Sequence, residues 1–78
     1  MFLTAKEFLA LRAMVVQAGS ILSKDALAHQ VWPEYEGAVG DVNIEQLISR
    51  LRRKIEANPA QPRRLLTVRG LGYRLIIE

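Results

Sequence analysis

Four basic residues, Arg50, Arg52, Arg53 and Lys54, fall within one five-residue stretch, and only Glu56 stands nearby in sequence to neutralise them. Guanidinium and ammonium groups at this density can hold a polyanion. Just upstream, Gln46 and Ser49 add an amide and a hydroxyl, which donate and accept hydrogen bonds. Taken together these groups suit recognition rather than bond-making. A run of charges is more often only a solvated helix face, so the reading depends on what accompanies it. The acids Asp25, Glu34, Glu36 and Asp41 form no visible catalytic pair, and Ser20, Ser23 and Ser49 have no evident activating base. His29 is the single histidine and there is no cysteine, so neither a metal site nor a disulfide is expected. No enzyme activity and no cofactor are expected.

The element that must carry these groups is a helix. Ile44, Leu47, Ile48, Leu51 and Ile55 recur at helical spacing and form one apolar stripe. At about 100° per residue, Gln46, Ser49, Arg50 and Arg53 lie on the opposite side, with Arg52 and Lys54 on its edges. The charge distribution supports a cationic C-terminal half. Residues 1–40 hold three basic against four acidic residues, and residues 41–78 hold eight against four.

The 78 residues allow one domain, spanning 1–78. No signal-peptide pattern is visible at the start, and no apolar run approaches the roughly 18 residues of a membrane span. Thr4 and Glu7 have capping-box spacing and open a first helix over about 4–18. Its inward residues are expected to be Phe8, Leu11, Val15 and Ala18, widened by Leu9 and Met14, in a largely buried helix ended by Gly19. Ser20–Leu22 reads as a short extended connector. Ser23 caps a second helix, over about 24–32, whose inward side is Leu27 and Val31 and which stops at Trp32-Pro33. Trp32 and Tyr73 are expected to pack at the core or its rim. A loop follows at 34–40. The third helix, about 42–57, is capped by Asp41 or Asn43. The proline-bearing segment 58–64 is loop. The pattern then alternates, and Leu65–Arg69 and Tyr73–Ile77 form a hairpin around Gly70-Leu71-Gly72, over about 65–77.

Three helices followed by a hairpin is the winged-helix plan, α+β but mostly α, with the second and third helices as a helix-turn-helix variant. Four stretches make the likeness specific: LTAKEFLAL (3–11), SKDALAHQVW (23–32), ISRLRRKIE (48–56) and TVRGLGYRL (67–75). In order and content they resemble the DNA-binding effector domain of OmpR/PhoB-type response regulators of bacterial two-component phosphorelay systems. The resemblance implies sequence-specific binding of double-stranded DNA in the cytoplasm, with the third helix in the major groove and the wing in the adjacent minor groove.

The resemblance also implies roles. Arg50 matches a groove-facing basic position, and arginine can bond guanine O6 and N7 in bidentate fashion. Gln46 is placed to read adenine, and Ser49 to donate to a base or phosphate. Arg52, Arg53 and Lys54 are expected on phosphates. Arg69 resembles the wing arginine that enters the minor groove, and Thr67 adds a phosphate or sugar contact. The family's loop between the second and third helices can touch RNA polymerase, which would draw on Glu34, Tyr35 and Glu36; a plain loop fits them nearly as well. A homodimer on DNA, when joined to an upstream domain, is also compatible with the family.

The chain departs from the family pattern in two places. Val42 stands where many members have an arginine, and Gln46 and Leu47 replace a valine and a histidine. The antiparallel sheet that usually precedes the first helix is reduced to Phe2–Leu3 at most, as in an excised fragment or a pared-down member. The receiver domain and its phosphoacceptor site are absent from these residues. A winged helix used for protein–protein interaction is the alternative; it gives less reason for arginines on both helix and wing. Membrane binding fits less well, because the apolar face of the third helix is needed for a core.

Overall fold

The computed structural model describes residues 2–36 and 38–77. Met1, Gly37 and Glu78 lie outside the described residues. The elements are α1 (Ala5–Val16), β1 (Ile21–Leu22), α2 (Lys24–Val31), a 3-10 turn (Pro33–Tyr35), α3 (Asp41–Ile55), β2 (Leu65–Val68) and β3 (Gly72–Leu75). The three strands form one antiparallel sheet in the order β1-β3-β2. This is the winged helix-turn-helix expected from the sequence.

The core is built where the apolar patterns converge. Ile44, Leu47, Ile48 and Leu51 of α3 are buried against Ala10 and Met14 of α1, Leu27 and Val31 of α2, and Leu65, Tyr73 and Leu75 of the sheet. The α3 stripe is thus the one predicted, with Ile55 at its half-buried end. Burial of these aliphatic side chains, at roughly 1.5–3 kcal/mol each, is what fixes the rotation of α3 and hence the direction of its polar face.

Several sequence expectations shift. Helix α1 ends at Val16 with Gln17 as C-cap, not near Ala18 with Gly19 as the cap. Gly19 is instead two residues beyond that cap, in a left-handed conformation (φ 85°), and its N–H donates to the Leu75 carbonyl at 2.9 Å. It therefore ties the end of α1 to β3. The inward face of α1 is also rotated. Glu7, Ala10 and Met14 are buried, Leu9 and Leu11 are half-buried, and Phe8 and Val15 are 51% and 47% exposed. The apolar arc of α1 is wider than the surface that α2 and α3 cover, so hydrophobicity alone did not choose the contact. Small Ala10 and flexible Met14 face the core, and Glu7 is drawn inward by cations on α3.

The N-cap of α3 is Gly40, with no side-chain cap bond, rather than Asp41 or Asn43. Asp41 sits in the first turn, where its charge complements the helix dipole. Arg52, Arg53 and Lys54 do the same in the last turn. The connector at Ile21–Leu22 is a true strand, pairing Ile21 with Arg74 and Leu22 with Tyr73. That pairing explains Gly72. A Cβ there would stand 2.2 Å from the Leu22 carbonyl oxygen, and its φ of +147° excludes most side chains. Phe2 is exposed and Leu3 packs on the core. Neither belongs to a strand.

Candidate nucleic-acid interface

The rotation imposed by the α3 stripe leaves Gln46, Ser49, Arg50 and Arg53 exposed along one face. Arg53 has no ion-pair or hydrogen-bond partner among the described residues, so its guanidinium is available to an external anion. Arg50 keeps half of its side-chain surface exposed and lies with Nε 3.4 Å from the Glu7 carboxylate. Val42 is exposed on the first turn, where it offers only apolar surface.

The two edge residues of the helix are held within the fold. Arg52 donates from Nε to the Leu65 carbonyl at 3.0 Å and from Nη2 to the Thr67 hydroxyl at 2.8 Å. It is a strut from α3 to the wing. Lys54 donates to the buried Glu7 carboxylate. Both side chains were expected on phosphates from the sequence, and both have protein acceptors here. Thr67 is exposed and accepts the Arg52 bond, which leaves its own hydroxyl proton to donate elsewhere.

Arg69 stands exposed beside Gly70 at the tip of the wing, in a turn closed by the Leu71 N–H to Val68 carbonyl bond at 2.9 Å. A groove runs between the wing and the N-terminal ends of α2 and α3, lined among others by Ser23, Lys24, Asp41, Glu45, Arg52, Thr67 and Arg69. Lys24 lies 3.6 Å from Asp41 and 3.7 Å from Glu45, so the acids at this end of α3 are partly neutralised by α2. The Arg52–Thr67 bond ties α3 to the wing strand that leads to Arg69.

The loop residues divide. Glu34 accepts from Lys6 Nζ at 2.9 Å, and Lys6 also donates to the Val31 carbonyl at 2.8 Å. The backbone N–H of Glu34 itself and then the Lys6 ammonium hold this carboxyl below its usual range. Tyr35 is exposed, and Glu36 is exposed in a left-handed conformation (φ 51°).

Two residues important to the site escaped the sequence reading. Glu7 was legible only as a helix cap. Its bonds to Lys54 and Thr4, together with the nearby Arg50 charge, outweigh burial and hold its carboxyl below the usual range. Glu56 was read only as a neutralising charge. It accepts from the backbone N–H groups of Arg63, Arg64 and Leu65, with the closest contact 2.7 Å, and so anchors the loop that launches β2. Burial raises its pKa, but the Leu65, Arg63 and Arg64 N–H groups more than offset that, so it lies below the usual carboxylate range. Nothing in local spacing marks either role, because the partners arrive from other elements.

This arrangement matches known proteins along nearly the whole chain. The family model described as "Transcriptional regulatory protein, C terminal" aligns with residues 1–75. The chain belongs to that family. Its relatives include protein PetR of Rhodobacter capsulatus, 42% identical over 77 residues, which cover 94% of this chain and 32% of PetR. The sensory transduction protein RegX3 of Mycobacterium tuberculosis is 42% identical over 74 residues, with the same coverage of both chains. The chain thus spans about a third of the length of these relatives. Among solved structures, the DNA-binding domain of Klebsiella pneumoniae RstA, crystallised with the RstA box, superposes with a TM-score of 0.78 at 32% identity, covering 96% of this chain and 73% of that one. The Thermotoga maritima response regulator DrrB, an OmpR/PhoB homologue, gives a TM-score of 0.84 at 31% identity, covering 96% of this chain and 33% of DrrB. The family is therefore that of OmpR/PhoB-type effector domains. Among the described residues, no helix is long and apolar enough to cross a membrane.

Proposed function

We propose that this chain is the sequence-specific, double-stranded-DNA-binding part of a bacterial transcriptional regulator, acting in the cytoplasm and carrying out no chemical step. What carries the reading is that exposed arginines stand both on α3, at Arg50 and Arg53, and at the wing tip, at Arg69, with α3 tied to the wing by the Arg52–Thr67 bond. In this reading α3 lies in the major groove, with Gln46, Ser49 and Arg50 toward base edges and Arg53 on a phosphate. Arg69 enters the adjacent minor groove, where an A/T-rich, narrow groove attracts guanidinium, and Thr67 donates to the backbone nearby. Arg52 and Lys54 serve by holding α3 in place. The RstA domain, solved in complex with the RstA box, supports DNA as the partner of this chain. A selection from random-sequence duplexes, followed by sequencing, tests the reading. A recurring motif with an A/T-rich flank is expected, and recovery of no motif would refute sequence-specific binding.

We also propose that the exposed Tyr35 and Glu36 form a contact for RNA polymerase, with Glu34 orienting the turn through Lys6. An in vitro transcription assay with Tyr35→Ala and Glu36→Ala checks this. Loss of activation with DNA binding retained is the expected result, and unchanged activation removes the idea.

A further inference from the structure

Among the described residues, Glu7 is the one charged side chain in the interior, 1% exposed. Its Oε1 accepts from the Thr4 N–H at 3.0 Å, completing the α1 capping box. The cap does not need a charge, since glutamine serves at this position as well. Burying a carboxylate is costly unless it is paired, so the charge has another role. Its partners show what that is. Lys54 and Arg50, one turn apart on α3, both reach the carboxylate, Lys54 on Oε1 and Arg50 with Nε 3.4 Å from Oε2.

These two contacts have opposite consequences. Arg50 meets the carboxylate through Nε, half of its side chain remains exposed, and its terminal Nη groups have no hydrogen-bond partner among the described residues. An arginine steadied in this way loses less rotamer freedom when it meets a planar acceptor pair. Lys54 is a compact point charge whose ammonium is engaged by a buried carboxylate, which withdraws it from external anions.

We propose that Glu7 is a positioning residue for base reading: it steadies Arg50 with its Nη edge toward the groove and keeps Lys54 out of the phosphate contacts. The proposal rests on the assignment of α3 as the recognition helix. It makes discrimination between base pairs depend on a residue of α1 that touches no DNA. It also lowers the count of cations that act on phosphate irrespective of sequence.

The test uses the 78-residue chain, its Glu7→Gln and Lys54→Gln variants, and Arg50→Ala as reference. Each is titrated at several salt concentrations against a selected duplex and against the same duplex with one base pair changed at the Arg50-dependent position. Glu7→Gln is expected to lower the discrimination ratio roughly fivefold or more, toward the Arg50→Ala value. It is also expected to steepen the log–log salt slope by about 0.9, as Lys54 is released to a phosphate. Lys54→Gln is expected to leave the slope unchanged. A folded Glu7→Gln variant with the parent's ratio and slope overturns the proposal, and so does a slope reduced by about 0.9 in Lys54→Gln. If Glu7→Gln does not fold, the Lys54→Gln slope still tests the withdrawal of Lys54 from phosphate, and a slope reduced by about 0.9 overturns the proposal. A parent chain that binds no duplex overturns the DNA reading and this proposal together, whereas a parent that discriminates normally beside an unaltered Glu7→Gln overturns only the latter.

Discussion

Replacing Arg52 by lysine separates a strut from a phosphate contact, because the charge is kept and the geometry is not. Arg52 spans two acceptors on β2 with different nitrogens, the Leu65 carbonyl at 3.0 Å and the Thr67 hydroxyl at 2.8 Å. A lysine ammonium is a single centre on a flexible stem and cannot reproduce this fork. Hydrogen bonds from a charged donor contribute about 1.5–3 kcal/mol each. The Leu65 bond ends on a fully buried residue, whereas Thr67 is exposed and its bond competes with water. Losing one bond and weakening the other therefore costs about 2 kcal/mol. A domain of this size shifts its thermal midpoint by about 4–8 °C per kcal/mol, so Arg52→Lys should melt roughly 10 °C lower. Melting by circular dichroism and a salt titration of DNA binding check both halves. The salt slope should be unchanged, since charge is conserved, while affinity falls because the wing is less firmly held. A midpoint within about 2 °C of the parent would refute the strut.

Three other outcomes follow from the geometry. Arg53→Ala should weaken binding to all duplexes alike and reduce the salt slope by about 0.9, as seen by fluorescence anisotropy, because this arginine is exposed and has no partner among the described residues. Glu7 and Glu56 both have carboxyls held below their unfolded range, so they stabilise the fold above about pH 4.5 and that stabilisation is lost as pH falls through their folded values. Thermal midpoints should be flat from neutrality to about pH 5 and drop below it. The drop should be shallower in a Glu7→Gln, Glu56→Gln double variant, and an equal drop would exclude these groups as its cause. Gly72→Ala should unfold the wing or the whole chain in a proteolysis assay, since its Cβ would meet the Leu22 carbonyl.

The parts of this fold that could be read from sequence are those governed by local periodicity. The α3 stripe is narrow and set against charged residues, so only one rotation buries it, and its outward face could be assigned before the structure. The wing was legible from alternation and two glycines around Leu71. Helix α1 was not, because Phe8, Leu9, Leu11, Val15 and Val16 make it apolar on most sides and leave several rotations open. The choice fell to Glu7, whose cationic partners lie on α3. β1 escaped as a strand because two residues carry no alternation. Arg52 and Lys54 share one residue class with Arg53 and the same stretch of helix, yet neighbouring elements take up the first two and leave the third free. Helical spacing sets Arg52 and Lys54 at the edges of the polar face, but the acceptors that engage them come from other elements, and no spacing rule within α3 reports those.

In the proposed docking the outward face of α3 reads bases through Arg50. The most direct test is to repeat duplex selection with Arg50→Ala and compare its base profile with that of the parent chain. Preference should disappear at one position of the motif, by about 1–3 kcal/mol, while the remaining positions and the A/T-rich flank persist. An identical profile for parent and variant would contradict it.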